Sequence, residues 1–233
     1  LNAGLFSKIF ENSPALSYKI NDDHVKVITK DGSIKADRVV LACNGYLGNL
    51  EKSLTSKILP MNNYIVATEA LDDQTVKKIN PRDIAFADSR FVINYFRLSA
   101  DKRLLFGGGE NYSQELSNYI IPIVTKPLEK IYPFLKGVKI DYAWGGKLAI
   151  TMNRLPYFTT LHQDKIISAQ GYSGQGVALA SYSGKLVSEK ITGNGETFDI
   201  MAKIPRQSFP GGRFLRNPSM KLGMLYYSLM DRL

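Results

Sequence analysis

Runs of hydrophobic and polar residues divide the first part of the chain into short strands. Residues 18–20 and 25–29 alternate between apolar and polar side chains, and a turn at 30–33 leads to a third run from Ile34. This spacing predicts a small antiparallel hairpin or meander. Residues 38–43 (RVVLAC) are apolar without alternation and end at an Asn-Gly turn, a pattern typical of a strand buried on both faces.

The middle of the chain, from about residue 59 to 151, predicts a second set of strands. We expect a strand in NNYIVATEAL, a short helix with an aspartate cap in DDQTVKKIN, and a hairpin in RFVINYFRLSADKRLLFGGG that turns at residues 99–102. A helix that begins near Ser117 should be bent or shortened by Pro122 and Pro127. KIDYAWGGKLAIT then predicts a strand, and LPYFTTLHQDKIISAQ predicts a last hairpin.

These elements together predict an α+β protein, built mainly from antiparallel strands with a few helices. The beginning of the chain does not supply enough strand–helix–strand units for a complete doubly wound nucleotide-binding domain. We therefore expect that a further part of the protein lies upstream of the first residue.

A glycine-rich turn near the end joins a predicted strand to a predicted helix. It reads Gly171-Tyr172-Ser173-Gly174-Gln175-Gly176, followed by apolar residues in near-helical spacing. A dinucleotide fingerprint has the order G-x-G-x-x-G, with an acidic ribose ligand about 20 residues further on. Here the order is G-x-x-G-x-G and Glu189 lies inside the helix, so we reject a pyrophosphate site. Two interpretations remain: a plain strand-to-helix turn, or a helix N-terminus that presents N–H groups to a ligand.

Composition excludes several classes of function and leaves one rival. The formal net charge is +9 but the basic residues are scattered, so the alternative function is a basic antiparallel-sheet module that binds nucleic acid or another polyanion. A single cysteine, Cys43, excludes a disulfide framework, and with two histidines no metal site is expected. No apolar run approaches the ~18 residues of a membrane span, and no export leader opens the sequence. We expect a soluble, cytoplasmic protein.

Six stretches together resemble the FAD-dependent D-amino-acid oxidase-like family of amine oxidoreductases, and within it the gamma-glutamylputrescine oxidoreductase group. They run in family order along nearly the whole chain: IKADRVVLACNGYLGNL, ILPMNNYIVATEAL, NYFRLSADKRLLFGGG, WGGKLAITMNRLPYF, ISAQGYSGQGVALASYSGKLVSEKITG and FPGGRFLRNPSMKLGMLYYSLMDRL. The resemblance implies an FAD cofactor and an N-terminal FAD-binding portion, supplied in cis or in trans, that carries the G-x-G-x-x-G turn and the ribose ligand.

The resemblance also implies how this chain is divided as the C-terminal part of a two-domain enzyme. Residues 1–58 would be the remaining part of the FAD-binding domain, and 59–151 the antiparallel substrate-binding domain. Residues 152–200 would return to the FAD-binding domain with the glycine loop, and 201–233 would form a tail and an amphipathic helix.

A flavin site follows from the same resemblance. In the family the matching glycine loop lies beside the pyrimidine edge of the flavin, where N–H groups and a helix dipole stabilise the negative charge of the reduced state. The expected cofactor-binding residues are Ala42, Asn44, Gly45, Gly145, Gly146, Gly171, Tyr172, Ser173, Gly174, Gln175 and Gly176. Two positions depart from the sarcosine oxidase branch. Ala178 stands where a lysine supports the flavin edge, and Leu148 stands where a cysteine tethers the flavin, so we expect non-covalent FAD.

Three residues are candidates for the chemistry on a small-molecule amine substrate. Tyr95 and Arg97 alternate on one strand face, where the arginine can bind a substrate carboxylate; an ordinary strand face paired across the hairpin is the alternative. Lys147 is a candidate cation near the flavin, and Trp144 is either an aromatic wall or a core side chain before a bulge. The expected reaction is oxidation of an amine or N-substituted amino acid to an imine by hydride transfer to flavin, with oxygen as the acceptor.

The last segment, MKLGMLYYSLMDRL, predicts an amphipathic helix. Its apolar face would consist of Leu222, Leu225, Tyr226 and Leu229. We expect this helix to dock on the flavin domain or on its absent portion. Because Lys221 and Arg232 flank it, an interfacial membrane helix is the alternative.

Overall fold

A computed structural model describes residues 7–90, 93–108 and 119–210, together with residues 212, 215, 218 and 222. The strands are β1 (Ser17–Ile20), β2 (Val25–Ile28), β3 (Ser33–Ala36), β4 (Val39–Leu41), β5 (Leu59–Thr68), β6 (Phe86–Ala87), β7 (Tyr95–Leu98), β8 (Leu104–Gly107), β9 (Ile140–Ile150), β10 (Tyr157–Leu161) and β11 (Ile166–Gln170). The helices are α1 (Lys52–Thr55), α2 (Asp73–Ile79), α3 (Ile120–Ile131), α4 (Gly176–Ile191) and α5 (Glu196–Lys203), with 3-10 turns at Asn44–Tyr46 and Pro133–Leu135. The predicted α+β class is confirmed.

The first three strands form the predicted meander, a three-stranded antiparallel sheet in the order β1-β2-β3. The Thr29 N–H donates to the Gly32 carbonyl at 2.9 Å and closes the turn between β2 and β3. Val25 is fully buried and packs with Leu41 in one core cluster. The meander therefore covers one side of β4.

The largest sheet has the order β6-β7-β8-β5-β9 and is antiparallel at each pairing. Alternation places Tyr64 and Phe106 on the face that packs against α2 and α3, where both are fully buried beside Leu128. The side chain of Asp72 accepts hydrogen bonds from the first-turn N–H groups of α2, so the predicted aspartate cap is confirmed. The opposite face of this sheet is left for the cleft described below.

A smaller mixed sheet has the order β10-β11-β4, in which β11 pairs with β4 in parallel. Helices α4 and α5 cover one face of this sheet, where Phe158, Ile167 and Phe198 are buried together. Leu41 and Ile166 face the other side and pack in the cluster that includes β2 and α1. This sheet joins a strand from the first sixty residues to strands from beyond residue 156.

The strand expected at residues 38–43 is shorter and less buried than predicted. β4 covers only Val39–Leu41, and the Val40 side chain is 40% exposed. The physical reason is that β4 pairs on one side only, with β11, among the residues that the structure describes. Val40 lies on the same face as Ile167, but at the edge of the described sheet it has a same-face strand neighbour on one side only, so it stays partly exposed.

Two helical regions differ from the predicted pattern. Helix α3 begins at Ile120, keeps Pro127 within its length and ends before the 3-10 turn that starts at Pro133. Helices α1 and α5 were not predicted because each is short and lacks a long apolar repeat. The predicted C-terminal amphipathic helix lies outside the described residues except for Leu222.

Candidate functional site

A cleft of about 610 Å³ lies between the large sheet and the glycine loop. Its floor includes Met61, Asn63 and Ile65, the residues of β5 that alternate with those packed against α2 and α3. Its opposite wall includes residues 173–175 at the start of α4. The cleft therefore lies where the two sheets approach each other.

The part of the floor that comes from β9 is flat at Gly146, which faces the cleft without a side chain, whereas its neighbour Gly145 faces Tyr64 on the other side of the sheet. A Cβ atom at Gly145 would lie 2.6 Å from the Tyr64 ring, so a larger residue does not fit there. At Gly146 a Cβ atom would project toward the Tyr46 hydroxyl, at 3.6 Å. Trp144 pairs with Ile65 across the strands, lines the cleft and is 44% exposed. The interpretation of Trp144 as a core side chain is therefore wrong.

A tyrosine and an asparagine form a polar pair in the cleft. The Tyr95 hydroxyl donates to the Asn63 side-chain carbonyl, and both residues line the cleft. The Tyr95 ring lies across Gly107, where a Cβ atom would overlap it. Gly107 therefore allows the ring to lie against the sheet and fixes the position of the hydroxyl.

The glycine loop follows β11 and is fixed to the end of β9. Gly171 has φ +77°, and a Cβ atom there would lie 2.6 Å from the Thr151 methyl group. The Asn44 side-chain carbonyl accepts a hydrogen bond from the Gly171 N–H at 3.1 Å. The Ser173 N–H donates to the Ala149 carbonyl at 2.9 Å. These contacts hold the loop at one side of the cleft.

Helix α4 begins at the cleft without a side-chain cap. Gln175 is its N-cap residue, its side chain makes no capping hydrogen bond, and the first turn contains no acidic residue. The first N–H groups of a helix have no partner within the helix, and they carry the positive end of its dipole. Because Ser173, Gly174 and Gln175 line the cleft, this positive end borders it.

The 3-10 turn at Asn44–Tyr46 packs closely against the backbone of β9. A Cβ atom at Gly45 would lie 2.5 Å from the Lys147 carbonyl oxygen, so only glycine permits this close approach. The Lys147 N–H donates to the Tyr46 hydroxyl at 3.1 Å, and the Lys147 ammonium lies 6.0 Å from the centre of the Tyr46 ring. Tyr46 itself lines the cleft. The turn thus links the end of β4 to the cleft floor.

The structure brings half of the predicted site residues to the cleft. Those that line it are Tyr95, Gly145, Gly146, Lys147, Ser173, Gly174 and Gln175. Those that do not line it are Ala42, Asn44, Gly45, Arg97, Gly171, Tyr172 and Gly176.

Some of the predicted residues that do not line the cleft still support it or pack elsewhere. Asn44, Gly45 and Gly171 hold the loop and the floor in place through the contacts above. Tyr172 is buried, and its hydroxyl donates to the Ala169 carbonyl at 2.9 Å. Arg97 is exposed, and its Nε donates to the neighbouring Leu98 carbonyl at 3.1 Å.

Sequence reasoning missed Tyr46, Asn63 and Arg154, which all line the cleft. Arg154 lies in the turn after β9 with φ +61°, a position that no periodicity marks. With Lys147 it gives the cleft two cationic side chains, and no carboxylate lines the cleft within the described part of the chain. The lining charge therefore favours an anionic group on a bound molecule.

Titratable groups elsewhere do not add a second reactive centre. Burial raises the pKa of the Cys43 thiol, which keeps it protonated, and Cys43 does not line the cleft. Neither histidine lines the cleft. Among residues 7–90, 93–108 and 119–210 no group of His, Cys, Asp and Glu side chains could hold a metal ion.

Comparison with known proteins gives a consistent result. A family described as FAD dependent oxidoreductase matches residues 4–190. Gamma-glutamylputrescine oxidoreductase of Escherichia coli (strain K12) is 39% identical over 208 residues, which cover 89% of this chain and 49% of that protein. A probable oxidoreductase, OrdL, of Rhizobium meliloti (strain 1021) is 38% identical over 226 residues, which cover 97% of this chain and 52% of that protein.

Solved structures agree with the fold. Glycine oxidase from Bacillus cereus ATCC 14579 has a TM-score of 0.64 at 18% identity, covering 83% of this chain and 53% of that one. The chain spans about half the length of the curated relatives it matches. In the described part of the chain, helices of the length and apolar character needed to span a bilayer do not occur. The nucleic-acid alternative gains no support from these matches. The chain belongs to the FAD dependent oxidoreductase family, whose cofactor is FAD, as the resemblance implied.

Proposed function

We propose that this chain supplies the substrate-binding sheet and the flavin-edge loop of an enzyme that oxidises an amine or an N-substituted amino acid. The observation that carries this proposal is the cleft itself, which has a flat floor at Gly146 on one side and the uncapped start of α4 on the other. A planar ring would fit the flat floor, and negative charge at one of its edges would be stabilised by the start of α4.

The residues of the cleft fit the isoalloxazine part of FAD. Gly146 allows a ring to approach the backbone of β9, where a side chain would add bulk on the cleft side. The positive end of α4 would stabilise negative charge at the pyrimidine edge. Bound there, FAD would supply a hydride acceptor for the oxidation of an amine to an imine, which water would then hydrolyse.

The chain's own side chains then position the substrate and exclude water. Trp144 and Tyr95 form aromatic walls, and Asn63 holds the Tyr95 hydroxyl in a fixed position. Lys147 places a positive charge close to the floor. We propose that oxygen accepts the electrons in the second half of the reaction.

We propose a substrate with a carboxylate at one end and an amine at the other, of the gamma-glutamylputrescine type. Arg154 and Lys147 supply the only charges among the described lining residues, and both are positive. An arginine can bind a carboxylate through two parallel hydrogen bonds. We assign the carboxylate to Arg154 rather than to Arg97, because Arg97 does not line the cleft.

The remaining half of the protein completes the cofactor site in this proposal. FAD binding in such folds uses a glycine turn under the pyrophosphate and an acidic residue on the ribose. The edge strand β4, with Val40 exposed, offers the place where a further strand from that half would pair. The partners proposed are therefore an amine substrate and the N-terminal FAD-binding portion, in cis or in trans.

The proposal is tested by flavin reduction without oxygen. The chain is co-produced with its upstream half, loaded with FAD, and mixed anaerobically with gamma-glutamylputrescine, sarcosine or glycine. We expect the flavin absorbance to bleach with one of these amines, and Arg154→Ala to weaken the reaction with the carboxylate-bearing substrates. Bound flavin that no amine reduces would refute the proposed function. Salt-sensitive binding of DNA without retained flavin would favour the polyanion module instead.

A further inference from the structure

A segment beyond the matched family region crosses behind the end of the cleft. After α5 the chain has no helix or strand over residues 205–209, which we call the C-terminal strap. The family match ends at residue 190, so the strap lies outside it. It returns from the α5 side of the small sheet to the start of β5.

Arg206 anchors the first part of the strap. Its guanidinium donates to the Pro156 carbonyl and, at 2.9 Å, to the Ile204 carbonyl. The same group lies 5.6 Å from the centre of the Tyr157 ring. The Lys57 ammonium donates to the Arg206 carbonyl at 3.1 Å. The strap is thereby held on both sides, by β10 and by the segment after α1.

Phe209 anchors the second part of the strap against the cleft floor. Its N–H donates to the Ser56 carbonyl at 3.0 Å. Its side chain packs on a buried cluster that contains Met61 and Ile150, with Leu148 beside them. These three residues also line the cleft, whereas Phe209 itself does not. The ring therefore lies one layer behind the wall that a substrate or flavin would touch.

We propose that Phe209 is a positioning residue, which holds Met61, Leu148 and Ile150 in place and thereby sets the length of substrate that the cleft accepts. This inference rests on the proposed amine oxidation. Met61 and Leu148 pair directly across β5 and β9, at the end of the floor opposite to Trp144. Their backbones are fixed by the strand pairing, so the position of their side chains depends on what fills the space behind them.

Removal of the ring should move this wall away from the cleft. A large-to-small change leaves a cavity that neighbouring side chains fill in part. Methionine is unbranched and flexible, so Met61 can move into the vacated space. A longer substrate then gains room, and a shorter one loses a surface to pack against. One methylene in an apolar pocket changes discrimination about tenfold or more.

The test compares variants of the complete FAD-loaded protein. Phe209→Ala, Phe209→Leu and Phe134→Ala are assayed with gamma-glutamyl diamines that are one methylene shorter than, equal to and one methylene longer than gamma-glutamylputrescine. Phe134 is the matched control, because it is a half-exposed phenylalanine on the α3 side of the sheet, beside Tyr132 and Lys78. Binding of non-oxidisable analogues is followed in parallel by the change in flavin absorbance.

We expect Phe209→Ala to shift the ratio of kcat/KM values toward the longer substrate by about tenfold. The shift should appear mainly in KM and in the dissociation constant of the analogues, and Phe209→Leu should restore most of the wild-type ratio. Phe134→Ala should leave the ratio unchanged. An unchanged ratio in Phe209→Ala, or in Phe209→Met if the alanine variant does not fold, would overturn the inference. Wild-type flavin that no amine reduces would refute the proposed function, and an unaltered analogue series would then separately refute the role of Phe209.

Discussion

The two sheets that border the cleft differ in how completely this chain builds them. The large sheet has its helices and a continuous core in one stretch of sequence, with Tyr64, Phe106 and Leu128 fully buried. The small mixed sheet is covered on both faces, yet its strand β4 has a partner on one side only in the described ranges. A parallel edge strand with an exposed Val40 is an incomplete element. The large sheet is therefore complete within this chain, and we propose that the small sheet is extended at β4 by a strand from the further portion.

The largest expected effect is the loss of FAD binding when the chain is purified without its upstream half. The chain alone should be colourless, because it carries the proposed flavin-edge loop but no G-x-G-x-x-G turn for the pyrophosphate and the ribose. A loss of about 4 kcal/mol weakens FAD binding roughly a thousandfold. The flavin absorbance of the purified chain, before and after addition of the upstream half, measures this directly. We also expect the chain alone to associate through β4.

The completed, FAD-loaded protein shows whether the flavin is attached covalently. Leu148 lies in the cleft, and Cys43, the single cysteine of this chain, does not line it. Acid or heat should therefore release free FAD into the supernatant. A stoichiometric flavin spectrum from the chain alone would show that both sheets are complete as they stand. Flavin that remains attached after denaturation would contradict the non-covalent site.

A substitution in the glycine loop should weaken FAD retention while the large sheet stays folded. Gly171→Ala places a methyl group 2.6 Å from the Thr151 methyl at a backbone φ of +77°. The two penalties together are about 2–5 kcal/mol. We expect the free energy of unfolding to fall and FAD retention by the completed protein to drop at least tenfold. Denaturant titration and flavin content are the measurements.

Gly184→Ala is the matched control for the loop. Gly184 lies inside α4, has an ordinary helical φ, and has open space where the Cβ atom would go. Alanine there should stabilise the helix by about 0.5–1 kcal/mol. If Gly171→Ala and Gly184→Ala had the same effect, the close contact with Thr151 would not matter.

A smaller effect is expected at the link between β4 and the loop. Asn44→Ala removes the hydrogen bond to the Gly171 N–H and also strains a position with φ +48°. We expect a loss of about 1–3 kcal/mol. Asn44→Gly keeps the conformation and loses only the hydrogen bond, so its loss should be smaller. Equal losses in the two variants would assign the whole effect to the hydrogen bond.

The smallest effect is a pH dependence confined to the large sheet. Hydrogen bonds from Arg103, at 2.6 Å, and from Lys139 lower the pKa of Asp141. A carboxyl group whose folded pKa lies below its unfolded value of about 3.9 stabilises the fold above that pH, and the contribution is lost as pH falls through the folded pKa. The thermal midpoint of Asp141→Asn should be lower than wild type at neutral pH, and the gap should close in acid. A gap that is constant with pH would exclude the carboxylate as its source.

Strand periodicity predicted most of the large sheet from sequence, and local turn chemistry predicted its connections. The alternation in β5 and the hairpin of β7 and β8 are set by residues close in the chain, as is the Asp72 cap. The extent of β4 was not predictable, since it depends on neighbours distant in sequence. The predicted domain boundaries and the roles assigned to the site residues stay predictions.

The site was predicted best where glycine determines the backbone. Among the lining residues, Gly145 is required by its contact with Tyr64 and Gly174 by its φ of +96°. Arg97 was preferred to Arg154 because only strand alternation was visible, and a turn residue such as Arg154 carries no period. Phe209 was missed for the same reason.

The most direct test of the central claim uses Trp144, the single tryptophan among the 233 residues. It lines the cleft beside the glycine floor, where the flavin ring is proposed to lie. The emission of Trp144 is isolated as the difference between wild type and Trp144→Phe, each completed with the upstream half. We predict that FAD binding strongly quenches this emission and that release of FAD restores it. Stoichiometric bound flavin with unchanged Trp144 emission would contradict the placement of the flavin in this cleft.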